Sequence, residues 1–94
     1  MPRLDQERRR AMRYRLAVPV QVKGRTIGRT LDMSTDGISF ETRRSYKLGE
    51  NISFSVILTD SRVQCEGRVV RVERQEDTLR IAVEFEGFNF SSIR

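Results

Sequence analysis

Between Glu7 and Arg15 the chain places five arginines in nine residues: Arg8, Arg9, Arg10, Arg13 and Arg15. The tract contains no lysine. A guanidinium is planar and permanently charged. It can make two parallel hydrogen bonds to a phosphate or to a guanine edge, and it can stack flat on a ring. A merely solvated basic tail needs none of these properties, so the tract points to anion recognition by directed hydrogen bonds. A second polar cluster follows at Asp32-Met33-Ser34-Thr35-Asp36-Gly37. Aspartate and serine hydrogen-bond nearby backbone, and a closing glycine can take positive φ, so this segment reads as a tight loop that also presents acceptors. Little else could do chemistry. There is no histidine, no plausible nucleophile–base pair and no convincing pair of carboxylates, which argues against an enzyme.

The charge is as localised as the arginines. The net charge is +5, yet residues 1–15 alone hold six arginines against Asp5 and Glu7, a net of +4. The rest of the chain is nearly balanced, so the positive field marks a site rather than a generally basic surface. The single cysteine, Cys65, allows no intrachain disulfide and no structural zinc site. It reads as a small buried apolar residue. No apolar run approaches the length of a membrane span, and the N-terminus is charged where a signal peptide would be apolar. The expectation is a cytoplasmic protein with no metal.

Something must hold the two clusters together, and 94 residues suggest one domain. Leu16 to Lys23 alternates with Val18, Val20 and Val22 on one face, and Pro19 suggests a free side at that point. Gly24 turns the chain into a second strand, Arg25 to Leu31, with Ile27 and Leu31 as inward candidates. Ile38 to Thr42 resumes after the acidic loop. Asn51 to Thr59 alternates cleanly through Ile52, Phe54, Val56 and Leu58. In Val63 to Glu73, Val63, Cys65 and Gly67 share one phase and Val70 and Val72 the other, which implies a bulge near Gly67–Val69. Leu79, Ile81, Val83 and Phe85 mark the last clear strand, and Gly87 to Arg94 reads as the start of a helix. Six short strands without a helical period predict an all-β fold, a six-stranded antiparallel barrel with little helix. Residues 1–15 form a flexible arm ahead of a 16–94 barrel domain.

Together, Arg9-Arg10-Ala11-Met12-Arg13 and Asp32-Met33-Ser34-Thr35-Asp36-Gly37 resemble the two motifs of the PilZ domain, the bacterial receptor module for cyclic di-GMP. Those motifs are Arg-x-x-x-Arg in an N-terminal arm and Asp/Asn-x-Ser-x-x-Gly at the end of the second strand. Each is weak alone; the order and the single strand pair between them make the combination specific. The resemblance spans residues 7 to about 90 and implies a split-barrel fold. It departs from many members in lacking a long C-terminal helix. It further implies that Arg9 and Arg13 bind phosphate and guanine, while Asp32, Ser34 and Gly37 shape the guanine pocket. Family members with arginine at the position of Arg8 tend to hold two mutually intercalated ligand molecules. Arg10, Arg15 and Arg71 are further candidate contacts.

Chemistry agrees with that ligand. Its phosphates suit arginine forks, guanine O6 and N7 suit a bidentate arginine, and its N1–H and N2–H₂ donors need acceptors such as Asp32 or Ser34. Charge-assisted hydrogen bonds contribute roughly 1.5–3 kcal/mol each. Micromolar binding needs about 8 kcal/mol net, so a few contacts plus stacking suffice after the cost of ordering an arm. Receptor action would order the arm and present a new surface to an unidentified protein partner. Two alternatives compete: a sequence-tolerant nucleic-acid-binding barrel, and a PilZ-like interaction module that binds no nucleotide.

Overall fold

The computed structural model describes residues 13–92. Its elements are β1 (Pro19–Val22), β2 (Arg25–Met33), β3 (Gly37–Thr42), β4 (Asn51–Ile57), β5 (Ser61–Arg74) and β6 (Leu79–Ser92). They form a closed antiparallel barrel in the order β1-β2-β3-β6-β5-β4. Closure is narrow, since β1 meets β4 only through Val20↔Val56 and Gln21↔Ser55. Pro19 pairs with Arg29 of β2 but falls outside the β4 ladder, as its missing N–H requires. Lys23 (φ 52°) and Gly24 (φ 79°) supply the left-handed backbone of the β1–β2 turn.

Alternation fills the interior. Val20, Ile38, Phe40, Ile52, Phe54, Val56, Val63, Cys65, Val69, Leu79, Ile81 and Val83 form one buried cluster. Phe40 and Phe54 meet at its centre, with ring centroids 5.5 Å apart and planes tilted by 52°. Cys65 is a free, buried thiol, and burial pushes its pKa up to about 12.

Three sequence expectations need correction. Gly87 to Ser92 is not helical. It continues β6 and pairs with the first half of β5, from Glu66↔Gly87 to Ser61↔Ser92, because that half of β5 would otherwise expose an unpaired edge. Leu31 does not join the core, and Val70 does not share the inward phase of Val72. Both are the extra residues of bulges: the register skips Leu31 between Thr30 and Asp32 in β2, and Val70 between Val69 and Arg71 in β5. A further irregularity lies at Glu66/Gly67, so the inferred Gly67–Val69 stretch is flanked by two bulges.

One buried threonine ties the barrel to the chain that precedes it, and a second ties β3 to β2. The Thr30 hydroxyl donates to the Leu16 carbonyl and accepts from Val18 N–H at 3.1 Å. The Thr42 hydroxyl donates to the Ile27 carbonyl at 2.6 Å. Tyr14 and Met33 exchange backbone hydrogen bonds of 2.8 and 2.9 Å. The segment entering β1 is therefore stitched along β2 as far back as Tyr14. Among the described residues, no helix is long and apolar enough to cross a membrane, and no cluster of three or more His, Cys, Asp or Glu could hold a metal.

Candidate functional site

The two bulges build the site. Thr30 and Val69 point into the barrel, so in an unbroken strand Asp32 and Arg71, two residues on, would point inward as well. Inserting Leu31 and Val70 reverses the phase at each place and turns the two charged residues outward. Register then sets them in one row across four strands: Asp32↔Ser39, Ser39↔Ala82 and Ala82↔Arg71. The middle members are small, so the row is low at its centre and high at its ends.

Two adjoining depressions lie over this row, of about 350 and 300 Å³. They share Asp32, Ser39 and Arg71. Arg15, Glu73, Arg80 and the bulged Leu31 complete one end. Arg13, Ser34, Asp36, Gly37, Glu84 and the bulged Val70 complete the other. Val70 is 48% exposed, an apolar surface beside Arg71.

Arg13 reaches this groove because Tyr14 is held on Met33, one residue past Asp32. Its Nη1 donates to Asp32 Oδ1 at 3.1 Å. The Ser39 hydroxyl donates to the same oxygen at 2.9 Å. Exposed as it is, the Arg13–Asp32 pair contributes at most about 1 kcal/mol to stability. Its significance is positional: a guanidinium and a carboxylate are held together at the rim.

The acidic loop divides its labour. Ser34 is buried; its N–H bonds the Gly37 carbonyl at 2.9 Å, and its hydroxyl accepts from Asp36 N–H at 3.2 Å. The Asp36 carbonyl in turn accepts from Phe85 N–H at 2.9 Å, which fastens the loop to β6. Gly37 does not have positive φ, contrary to the sequence expectation. It pairs with Glu84 at the start of β3, and a Cβ there would collide with the Val83 carbonyl oxygen. Crowding against β6, rather than a left-handed turn, is what demands glycine. Ser34 and Gly37 thus build the turn at the groove's edge, and Asp32 supplies its accessible carboxylate.

Of the candidate residues, the structure gathers Arg13, Ser34 and Gly37 at one end of the groove and Arg15 at the other, with Asp32 and Arg71 common to both. Arg8, Arg9 and Arg10 lie outside the described residues. Sequence reading missed Ser39, Ala82, Arg80 and Val70. Ser39 was legible in principle, as the outward residue between inward Ile38 and Phe40. Its pairing with Asp32 was not, because that depends on the Leu31 bulge.

A comparison with curated proteins gives no match. The family model described as PilZ domain matches residues 7–94, which takes in the arginine tract, the acidic loop and all six strands. The chain therefore belongs to the PilZ domain family, in general a family of cyclic di-GMP-binding modules.

Proposed function

We propose that this domain is a cytoplasmic cyclic di-GMP receptor, acting as a non-catalytic effector module. In this reading the messenger lies in the groove over the Asp32–Ser39–Ala82–Arg71 row. Arg9 and Arg13 engage its phosphates and guanine edges. Asp32 accepts from guanine N1–H and N2–H₂, and Ser34 and Gly37 hold the pocket wall. Ligand binding orders the arginine arm over the barrel, and a protein partner reads the resulting surface. With Arg8 next to the motif, the ligand is an intercalated pair of messenger molecules.

The observation that carries this reading is the meeting of Arg13 with Asp32 beside Ser34 and Gly37 at one groove, in a chain of this family. A lone basic arm could not explain it, because a phosphate-tracking arm needs no acceptor for base donors. Titration calorimetry with cyclic di-GMP, GTP and a short single-stranded oligonucleotide tests the proposal. The expected result is selective binding of the cyclic dinucleotide, at two molecules per chain. One molecule per chain removes the intercalated pair but leaves the receptor. Preference for the oligonucleotide, with a steep salt dependence, favours the nucleic-acid alternative. No uptake of any of the three at high micromolar concentration leaves the interaction-module reading.

A further inference from the structure

We infer that Ser39, which lies outside both family motifs, is a positioning residue that sets the guanine selectivity of the groove by fixing the Asp32 carboxylate. The inference rests on the cyclic di-GMP reading of the site. Ser39 stands directly opposite Asp32 in the β2–β3 ladder and donates its hydroxyl to Oδ1 at 2.9 Å. Arg13 donates to that same oxygen from across the rim. Among the described residues, none donates to Oδ2. The carboxylate thus has one oxygen occupied by the protein and one left for a donor in the groove that Asp32 lines.

The two protein partners are not equivalent. Arg13 is a long, largely exposed side chain that must leave or share Asp32 when it turns to a phosphate or a guanine edge. Ser39 is short, comes from the middle of a paired strand, and has no such alternative. When ligand enters, Ser39 is the partner that stays and keeps Oδ2 aimed at the base. A carboxylate held this way offers Oδ2 to one guanine donor and, once Arg13 has turned away, the free side of Oδ1 to the other, so that N1–H and N2–H₂ are accepted together. Adenine, which presents an acceptor at N1, is refused, and hypoxanthine, which lacks the 2-amino group, is held less firmly. Discrimination of this kind depends on buried or fixed polar groups left unpaired by the wrong base.

The experiment is calorimetry of the wild type, Ser39→Ala and Ser39→Thr with cyclic di-GMP and with cyclic di-IMP, alongside thermal melts without ligand. Ser39→Ala should weaken cyclic di-GMP binding by about ten- to 150-fold, as for loss of one hydrogen bond to a charged group. Cyclic di-IMP binding should weaken less, so the preference between the two ligands shrinks. Ser39→Thr retains the hydroxyl and should restore both affinity and preference. The melting temperature of the ligand-free alanine variant should stay close to wild type. Equal loss for the two ligands would make Ser39 a structural residue only, and unchanged cyclic di-GMP affinity would overturn the inference outright. Failure of the wild type to bind either ligand would instead overturn the receptor reading, and this inference with it.

Discussion

Replacing Gly37 by alanine separates the two roles that a motif glycine can have. If it only allowed a ligand to approach, alanine would reduce affinity and leave the barrel alone. The structure requires otherwise. A Cβ at position 37 would run into the carbonyl oxygen of Val83 on β6. That oxygen is backbone, one pair in from the start of the ladder that runs from Gly37↔Glu84 to Thr42↔Leu79, so no side chain can rotate away to make room. Relief requires β3 and β6 to part at the point where Phe85 N–H also holds the Asp36 carbonyl. Overpacking of this kind costs about 1–3 kcal/mol. For a domain of this size each kcal/mol moves the melting temperature by about 4–8 °C, so Gly37→Ala should melt about 5–20 °C below wild type. Gly87→Ala is the control: a Cβ there meets nothing within 4 Å and the backbone is not left-handed, so its melt should hardly move. Differential scanning calorimetry without ligand reads both. A Gly37→Ala protein melting within about 2 °C of wild type would refute the crowding argument.

Arg13→Ala should cut cyclic di-GMP affinity by at least tenfold while costing less than about 1 kcal/mol of stability, because the Asp32 pair is exposed; calorimetry showing intact binding would remove Arg13 from the clamp. Thr30→Val keeps the shape but strips the hydroxyl from the Leu16 carbonyl and the Val18 N–H. It should cost about 1–3 kcal/mol and raise amide exchange at Tyr14 and Val18; unchanged exchange there would mean that this threonine does not anchor the base of the arm. For Cys65, burial raises the thiol from 9.0 to about 12, so the folded state resists ionisation that the unfolded state accepts. Its contribution is complete below pH 9.0 and is lost as pH rises toward about 12. Urea melts of Cys65→Ala should therefore fall less steeply with pH over that range than those of wild type, and parallel profiles would contradict the linkage.

What could be read without coordinates was whatever alternation alone determines. Ile52, Phe54 and Val56, and likewise Ile81 and Val83, point inward because a two-residue period with one buried face leaves no other choice. The phase break in β5 was visible in the order of its valines, although Val69 extends the inward run one step further than the sequence suggested. The β2 bulge left no such trace, since Thr30-Leu31-Asp32 looks like an ordinary strand end with leucine as the inward residue. Only the register against β3 shows that a threonine is buried and the leucine displaced. The end of β6 was misread for a related reason. Its partner is the start of β5, about twenty to thirty residues away in sequence, and no local pattern reports a distant unpaired edge. The site was legible as two motifs and illegible as a row: Ser39 and Ala82 acquire meaning only once four strands lie side by side.

That row separates affinity from discrimination. The charged residues lining the groove are Arg13, Arg15, Arg71 and Arg80 against Asp32, Asp36, Glu73 and Glu84, a balance of zero. Arg13 and Arg15 belong to the N-terminal tract. Without them the barrel wall carries two arginines and four carboxylates, a field that opposes a doubly charged anion. On the proposed receptor reading, the barrel wall would select among bases without attracting the messenger, and attraction would come from residues 1–15, where the net charge is +4. Screening acts mainly on long-range attraction of this kind, while short hydrogen bonds to a fixed carboxylate are less affected. On that reading, added salt should weaken cyclic di-GMP binding through the arginine tract and leave the guanine preference proposed for Asp32 and Ser39 largely intact.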